Sequence, residues 1–194
     1  VQPSSGFGLV YSIPKSGGTP SLLATNAQIN RGSVVVDSTY VYFMTYAPGD
    51  GGYDGQIRAV PKTGIGDAGA PMVVATFPQT ELQGLIAGTD GLYVTEGSQI
   101  WRVPFGIASS TPVLLFNGTA LGGLAFMTTD NTSLFWADQV DGAVYKMPIA
   151  GGYAQRIALN LFEPFIALAD ANNVYFQASG GTGTFLSMPT AYDP

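Results

Sequence analysis

The chain has no cysteine and no histidine among its 194 residues. Without cysteine there are no disulfides, thiolate metal sites or cysteine nucleophiles. Without imidazole there is no histidine base, and no triad built on one. Charge is scarce as well. Seven Lys+Arg stand against 13 Asp+Glu, and charged residues make up 10% of the chain, where an average globular protein has roughly 25%. Lys15, Lys62, Lys146, Arg31, Arg58, Arg102 and Arg156 are dispersed. They form neither a basic footprint nor a phosphate cradle, so nucleic acid is not an expected partner. No apolar run reaches 18 residues, so no membrane-spanning helix is expected. The opening VQPSSGFGLV has no cationic segment and no long apolar stretch, so it does not read as a signal peptide, and without an initiator Met the chain is read as processed or cut.

What the chain does have is 26 Gly, 13 Pro and 46% hydrophobic residues. That mixture implies many turns set between buried strands. The length is enough for one sizeable domain with a core. Five segments share an alternating pattern that ends at proline: GLVYSIPK (8–15), GQIRAVPK (55–62), SQIWRVPF (98–105), GAVYKMPI (142–149) and GTFLSMPT (183–190). A short Gly/Ser/Ala-rich turn follows the first four. A further short strand comes next: TPSLLAT (19–25), APMVVAT (70–76), TPVLLFN (111–117) and YAQRIAL (153–159).

Before each of the last four proline-ended segments lies a pair. Its first member is small and aliphatic and ends at an acid: SVVVD (33–37), LIAGTD (85–90), LAFMTTD (124–130) and IALAD (166–170). Its second member is aromatic: TYVYFMT (39–45), LYVTE (92–96), SLFWAD (133–138) and VYFQA (174–178). We call the four strand types A (aliphatic), B (aromatic), C (proline-ended) and D. Four short strands in a unit of about 43 residues is the pattern of a β-propeller blade. The expected fold class is therefore all-β, a propeller of four-stranded antiparallel blades with incomplete blades at both termini. The divisions are a partial blade over 1–26 (C and D), blades over 27–80, 81–118 and 119–160, and a partial blade over 161–194 (A to C). A blade has two apolar faces and hides them only by stacking on its neighbours. Strand A is expected nearest the axis, and the aromatics of strand B between blades.

Phe135-Trp136-Ala137-Asp138 resembles the Tyr-Trp-Thr-Asp signature of YWTD-type propellers. The matching quartets are Tyr42-Phe43-Met44-Thr45, Tyr93-Val94-Thr95-Glu96 and Tyr175-Phe176-Gln177-Ala178. The C–turn–D portion, as in IPKSGGTPSLLAT, resembles repeats of bacterial surface-associated propellers. The resemblance, to YWTD-type and NHL-type propellers, implies a ring of six blades that binds proteins, glycans or small ligands.

Seventeen strands are expected, which does not close a ring of whole blades. The ring is a small self-closed one of four blades, or an open or five-bladed one whose split blade combines both termini, or part of a larger one completed by another polypeptide or another copy. In the last case, exchange of terminal strands head to tail would build a filament.

The stretch Tyr46-Ala-Pro-Gly-Asp50-Gly-Gly-Tyr53-Asp54-Gly55 reads as a long B–C loop. Asp50 and Asp54 would offer oxygen to calcium, the one cofactor considered. Tyr46 and Tyr53 would stack on a sugar or a partner surface. A plain solvent-exposed loop is the alternative. Asp37, Asp90, Asp130 and Asp170 read as turn residues bonding their own backbone rather than as a ring of ligands, and Asp138 and Asp141 likewise. Trp101 and Trp136 read as packing residues. Asn117-Gly-Thr and Asn131-Thr-Ser match the glycosylation pattern.

No catalytic constellation stands out. The chain reads as a non-catalytic extracellular or cell-surface module, bacterial by composition. Its expected partner is a protein, other copies of itself, or a glycan. The alternatives are a calcium-dependent hydrolase or lyase, since carboxylates alone suffice for acid–base chemistry, and a lectin.

Overall fold

In the computed structural model, residues 8–27, 29–49, 52–64, 70–118, 127–178 and 184–189 are described. They hold seventeen strands, in five antiparallel meanders. The first sheet pairs β1 (Gly8–Ser12) with β2 (Ser21–Ala27). The second runs β3 (Ile29–Val36), β4 (Tyr40–Gly49), β5 (Gly52–Pro61), β6 (Met72–Phe77). The third runs β7 (Leu82–Ala87), β8 (Leu92–Glu96), β9 (Gln99–Val103), β10 (Val113–Asn117). The fourth runs β11 (Met127–Thr129), β12 (Ser133–Asp138), β13 (Ala143–Pro148), β14 (Gln155–Ala158). The last holds β15 (Phe165–Ala169), β16 (Asn173–Ala178) and β17 (Thr184–Pro189). Each four-stranded sheet is one blade in the order A, B, C, D. The first sheet has only C and D, and the last only A, B and C.

Strand periodicity explains the stacking. Successive side chains of a strand point to opposite faces, and here both faces of strand B are buried. In the quartets, the first residue packs toward the following blade and the second toward the preceding one. Tyr42 lies with Leu92, Val94 and Val103 of the third sheet. Phe43 lies with Val10 and Leu23 of the first. Tyr93 meets Leu134 and Trp136 of the fourth sheet, and Phe135 meets Val174 and Phe176 of the last. Each such ring is fully or nearly fully buried, a contribution on the order of 1.5–3 kcal/mol apiece. Trp136 also stacks on Tyr145, with ring centroids 5.4 Å apart and planes at 6°, and Trp101 meets Phe77 edge-on at 6.0 Å. The A strands adjoin in succession, β3 to β7 to β11 to β15, which is the inner position expected of them.

Two sequence readings need correction. Within the stretch read as a long B–C loop, residues 46–49 and 52–55 are strand. β4 and β5 pair continuously through Tyr46↔Gly55, Ala47↔Asp54, Pro48↔Tyr53 and Gly49↔Gly52. The pairs of the other three B–C strand couples end at Glu96↔Gln99, Asp138↔Ala143 and Ala178↔Thr184, so this one extends four pairs further. The sequence signal for pairing here is the Asp-Gly dipeptide at 50–51, a composition favoured between hairpin strands.

The second correction concerns Asp90. It is not the counterpart of Asp37, Asp130 and Asp170. The strand pairs that flank the A–B turns are Val36↔Val41, Ala87↔Leu92, Thr129↔Leu134 and Ala169↔Val174. Gly88 therefore stands where the other blades have the acid, and Asp90 sits two residues later. A β-carbon at Gly88 would come within 2.8 Å of the Tyr93 ring, so glycine is required where Tyr93 lies this close.

Candidate functional site

The projecting β4–β5 hairpin and the connector from β6 to β7 form a pocket of about 390 Å³, lined by Tyr46, Tyr53, Gln79, Thr80 and Glu81. Tyr46 lies at the end of the strand B core and is half-buried. Tyr53 comes from the start of β5 and is 64% exposed. Their ring centroids are 6.5 Å apart, with planes inclined at 58°.

The connector is held against the hairpin by Asp54. Its Oδ1 accepts the backbone N–H of Gln79 at 2.9 Å, and Gln79 adopts φ +53 to present that N–H. Gly55 permits the close approach, since a β-carbon there would fall 2.9 Å from the Thr80 carbonyl oxygen. Asp54 thus acts as the clamp that builds the pocket and is not among its lining residues. Asp50 lies outside the described residues. Among the described residues, no group of three or more acids gathers as a metal cluster. The structure brings Tyr46 and Tyr53 together as the sequence suggested and adds Gln79, Thr80 and Glu81. No spacing pattern flags those three, because their place follows from a bond across 25 positions.

The turn acids are occupied within their own blades. Asp37 accepts the amides of Thr39 and Tyr40, each at 2.6 Å, and the Tyr42 hydroxyl. Burial opposes its ionisation, but these donors prevail and hold the carboxyl below its ordinary value of 3.8. Asp170 repeats the arrangement with Asn172, Asn173 and the Tyr175 hydroxyl, and is lowered by the same two amides and that hydroxyl. Asp130 faces Phe135, which has no hydroxyl, and accepts Thr132 Oγ1 at 2.7 Å instead. Asp90 accepts the Tyr93 hydroxyl and pairs with Arg102 at 2.9 Å. Asp141 takes the Tyr145 hydroxyl and pairs with Arg156. Asp138 is fully buried, and its Oδ1 caps the amides of Val140 and Asp141.

No protein-family model matches the chain, and no curated protein matches it. Solved structures do. A Bacteroides fragilis protein assigned as a 6-phosphogluconolactonase aligns at 16% identity and TM-score 0.49, over 97% of this chain and 65% of its own. Virginiamycin B lyase from Staphylococcus aureus aligns at 14% identity and TM-score 0.47, over 95% and 78%. The propeller of nidogen, from a nidogen/laminin complex, aligns at 16% identity and TM-score 0.60, over 78% of this chain.

This chain is a β-propeller.

It spans 58% of the length of the nidogen chain it matches. The four quartets take the place of the YWTD motif in the resembled propellers, and here the acid at the fourth position survives in Glu96 and Asp138 alone. No helix among the described residues is long and apolar enough to cross a membrane.

Proposed function

We propose that this chain is a non-catalytic binding and scaffold module of an extracellular or cell surface, a single propeller domain or a fragment of one over residues 1–194. The tyrosine-flanked pocket carries the recognition half of this reading. Two inclined rings beside amide, hydroxyl and carboxylate groups suit a ligand with one apolar face and a polar edge. A sugar ring of a glycan, or a side chain of a protein partner, has that character. A protein partner is also in keeping with the nidogen/laminin complex, in which a propeller of the same fold is seen with another protein. The described turn acids support a non-catalytic role, since Asp37, Asp130, Asp138 and Asp170 cap their own turns and Asp90 and Asp141 are paired with arginines of their own blades. The scaffold half rests on the two incomplete sheets, whose strand edges invite exchange between copies into a fibre or larger ring.

A soluble-glycan array, read with the native chain and with Tyr53→Ala, tests the pocket. The expected result is binding to a defined set of oligosaccharides that drops at least tenfold in the variant. Equal binding by the variant would remove the pocket from the account. Electron microscopy of the purified chain tests the scaffold half, where fibres or rings are expected and uniform single particles would oppose it.

A further inference from the structure

The opening of strand D repeats from blade to blade, and the fourth blade departs from it. The four openings are Thr19-Pro20-Ser21-Leu22, Ala70-Pro71-Met72-Val73, Thr111-Pro112-Val113-Leu114 and Tyr153-Ala154-Gln155-Arg156. Cross-strand register agrees with this alignment: Leu22 pairs with Tyr11, Val73 with Arg58, Leu114 with Trp101 and Arg156 with Tyr145. The first and fourth blades also share the turn that leads in. Gly17 and Gly18 have φ +85 and +133, and Gly151 and Gly152 have φ +92 and +127. The Gly17 amide donates to the Pro14 carbonyl at 2.8 Å, and the Gly151 amide to that of Pro148 at 2.9 Å. One turn therefore forms whether threonine or tyrosine follows it. The repeat asks for neither an aromatic ring at 153 nor a charge at 156.

Core packing does not ask for them either. Tyr153 is 85% exposed, and the Arg156 side chain is 53% exposed. Both line a pocket of about 700 Å³, together with Tyr145, Ala154 and Gln155. Its back is fixed, because Tyr145 stacks on the buried Trp136 and donates its hydroxyl to Asp141. Arg156 Nε donates to that hydroxyl at 2.9 Å, and Nη2 pairs with Asp141 at 2.9 Å. The guanidinium is thus held in place, while Nη1 has no partner among the described residues. Gln155 brings a side-chain amide, which both donates and accepts. We propose that this pocket is a sugar site for a neutral pyranose of a glycan. The C–H face of the sugar lies on Tyr153, and its hydroxyls bond Arg156 Nη1 and the Gln155 amide. A neutral sugar is favoured over a uronate because Asp141 already balances the guanidinium, and the chain carries a net charge of −6. The site stands on the fourth blade, apart from the Tyr46 and Tyr53 pocket of the second. It goes beyond the proposed function and shares with it only the glycan as a class of ligand.

The test is a nuclear magnetic resonance titration of the intact, isotope-labelled chain. The probes are the methyl pyranosides of glucose, galactose and mannose, with methyl glucuronide as the anionic control. At least one neutral pyranoside is expected to shift the Gln155 side-chain amide, the Arg156 Nε–H and the Tyr153 ring signals. A Tyr153→Thr, Arg156→Leu double variant carries the residues that Thr111 and Leu114 supply in the third blade. It is expected to keep the native melting temperature within a few degrees while its affinity falls at least tenfold. Tyr153→Ala removes only an exposed ring and checks the same loss without touching Arg156. Tyr53→Ala should leave this affinity unchanged. No shift with any neutral pyranoside, tighter binding of the glucuronide than of all three, or full affinity in the Tyr153 variants would each overturn the proposal. Loss of binding in Tyr53→Ala would overturn it too, by assigning the sugar to the second-blade pocket, and would leave the proposed function standing.

Discussion

At the scale of single residues, one pairing recurs: a turn acid with the tyrosine hydroxyl at the first quartet position of strand B. The Tyr42 hydroxyl donates to Asp37 and accepts the Gly106 N–H of the next blade at 3.0 Å, so one oxygen joins a turn to its neighbour. Asp37→Ala removes two backbone caps and orphans a buried hydroxyl, which should cost about 1–3 kcal/mol. Tyr42→Phe removes one bond and should cost less. Urea midpoints of the two variants check the ranking. These residues also set a pH window. Burial first, and then Asp37 or Asp90, raise the Tyr42 and Tyr93 hydroxyls well above their ordinary 10.0. Their folded-state pKa exceeds the unfolded one, so the stability they contribute is complete below about pH 10. It is lost as pH rises through the folded value. Tyrosinate absorbance for these two rings is therefore expected to appear together with loss of near-ultraviolet circular dichroism, not before it. Asp37 and Asp170 act in the opposite sense, since their pKa values are lowered. Their contribution holds above the unfolded carboxyl value and fades as pH falls through the folded one.

Among the elements, the strands were largely legible and the connections were not. β8 and β12 occupy the residues that alternation and aromatic content assign to them, because a strand buried on both faces must be apolar along its length. The proline-ended strands are also legible. Proline lacks the N–H that would extend the ladder, and β5, β13 and β17 end at Pro61, Pro148 and Pro189. Residues 46–49 and 52–55 read as loop because Gly and Pro weigh that way, while their strand pairing is settled by the residues that face each other across β4 and β5. Connector geometry makes a further test. Gly142 has φ +61, and a β-carbon there would lie 2.5 Å from the Leu161 carbonyl oxygen. The left-handed region alone costs an L-residue roughly 1–2 kcal/mol, and the collision with backbone adds to it. Gly142→Ala should therefore lower the thermal midpoint by several degrees, read by calorimetry, whereas Gly97→Ala meets no atom within 4 Å and should lower it less.

For the whole molecule, stacking order rather than any one contact gives the fold its identity. Tyr42, Tyr93 and Phe135 are covered by a following blade, and Tyr175, in the same place on the last sheet, is only half-buried because no blade follows it among the described residues. Val34 and Val36 of β3, on the side of the two-stranded first sheet, are likewise half-exposed. The sequence by itself determined the period, the strand types and the unfinished terminal sheets, since alternation and proline punctuation act within a few neighbours. It also marked Tyr46 and Tyr53. Tertiary structure alone decided which apolar side chains find cover, that Asp54 clamps a connector 25 residues away, and that Glu81 joins the tyrosines. Those outcomes depend on which blade stands beside which, and side-chain burial is set by neighbours that no local pattern names.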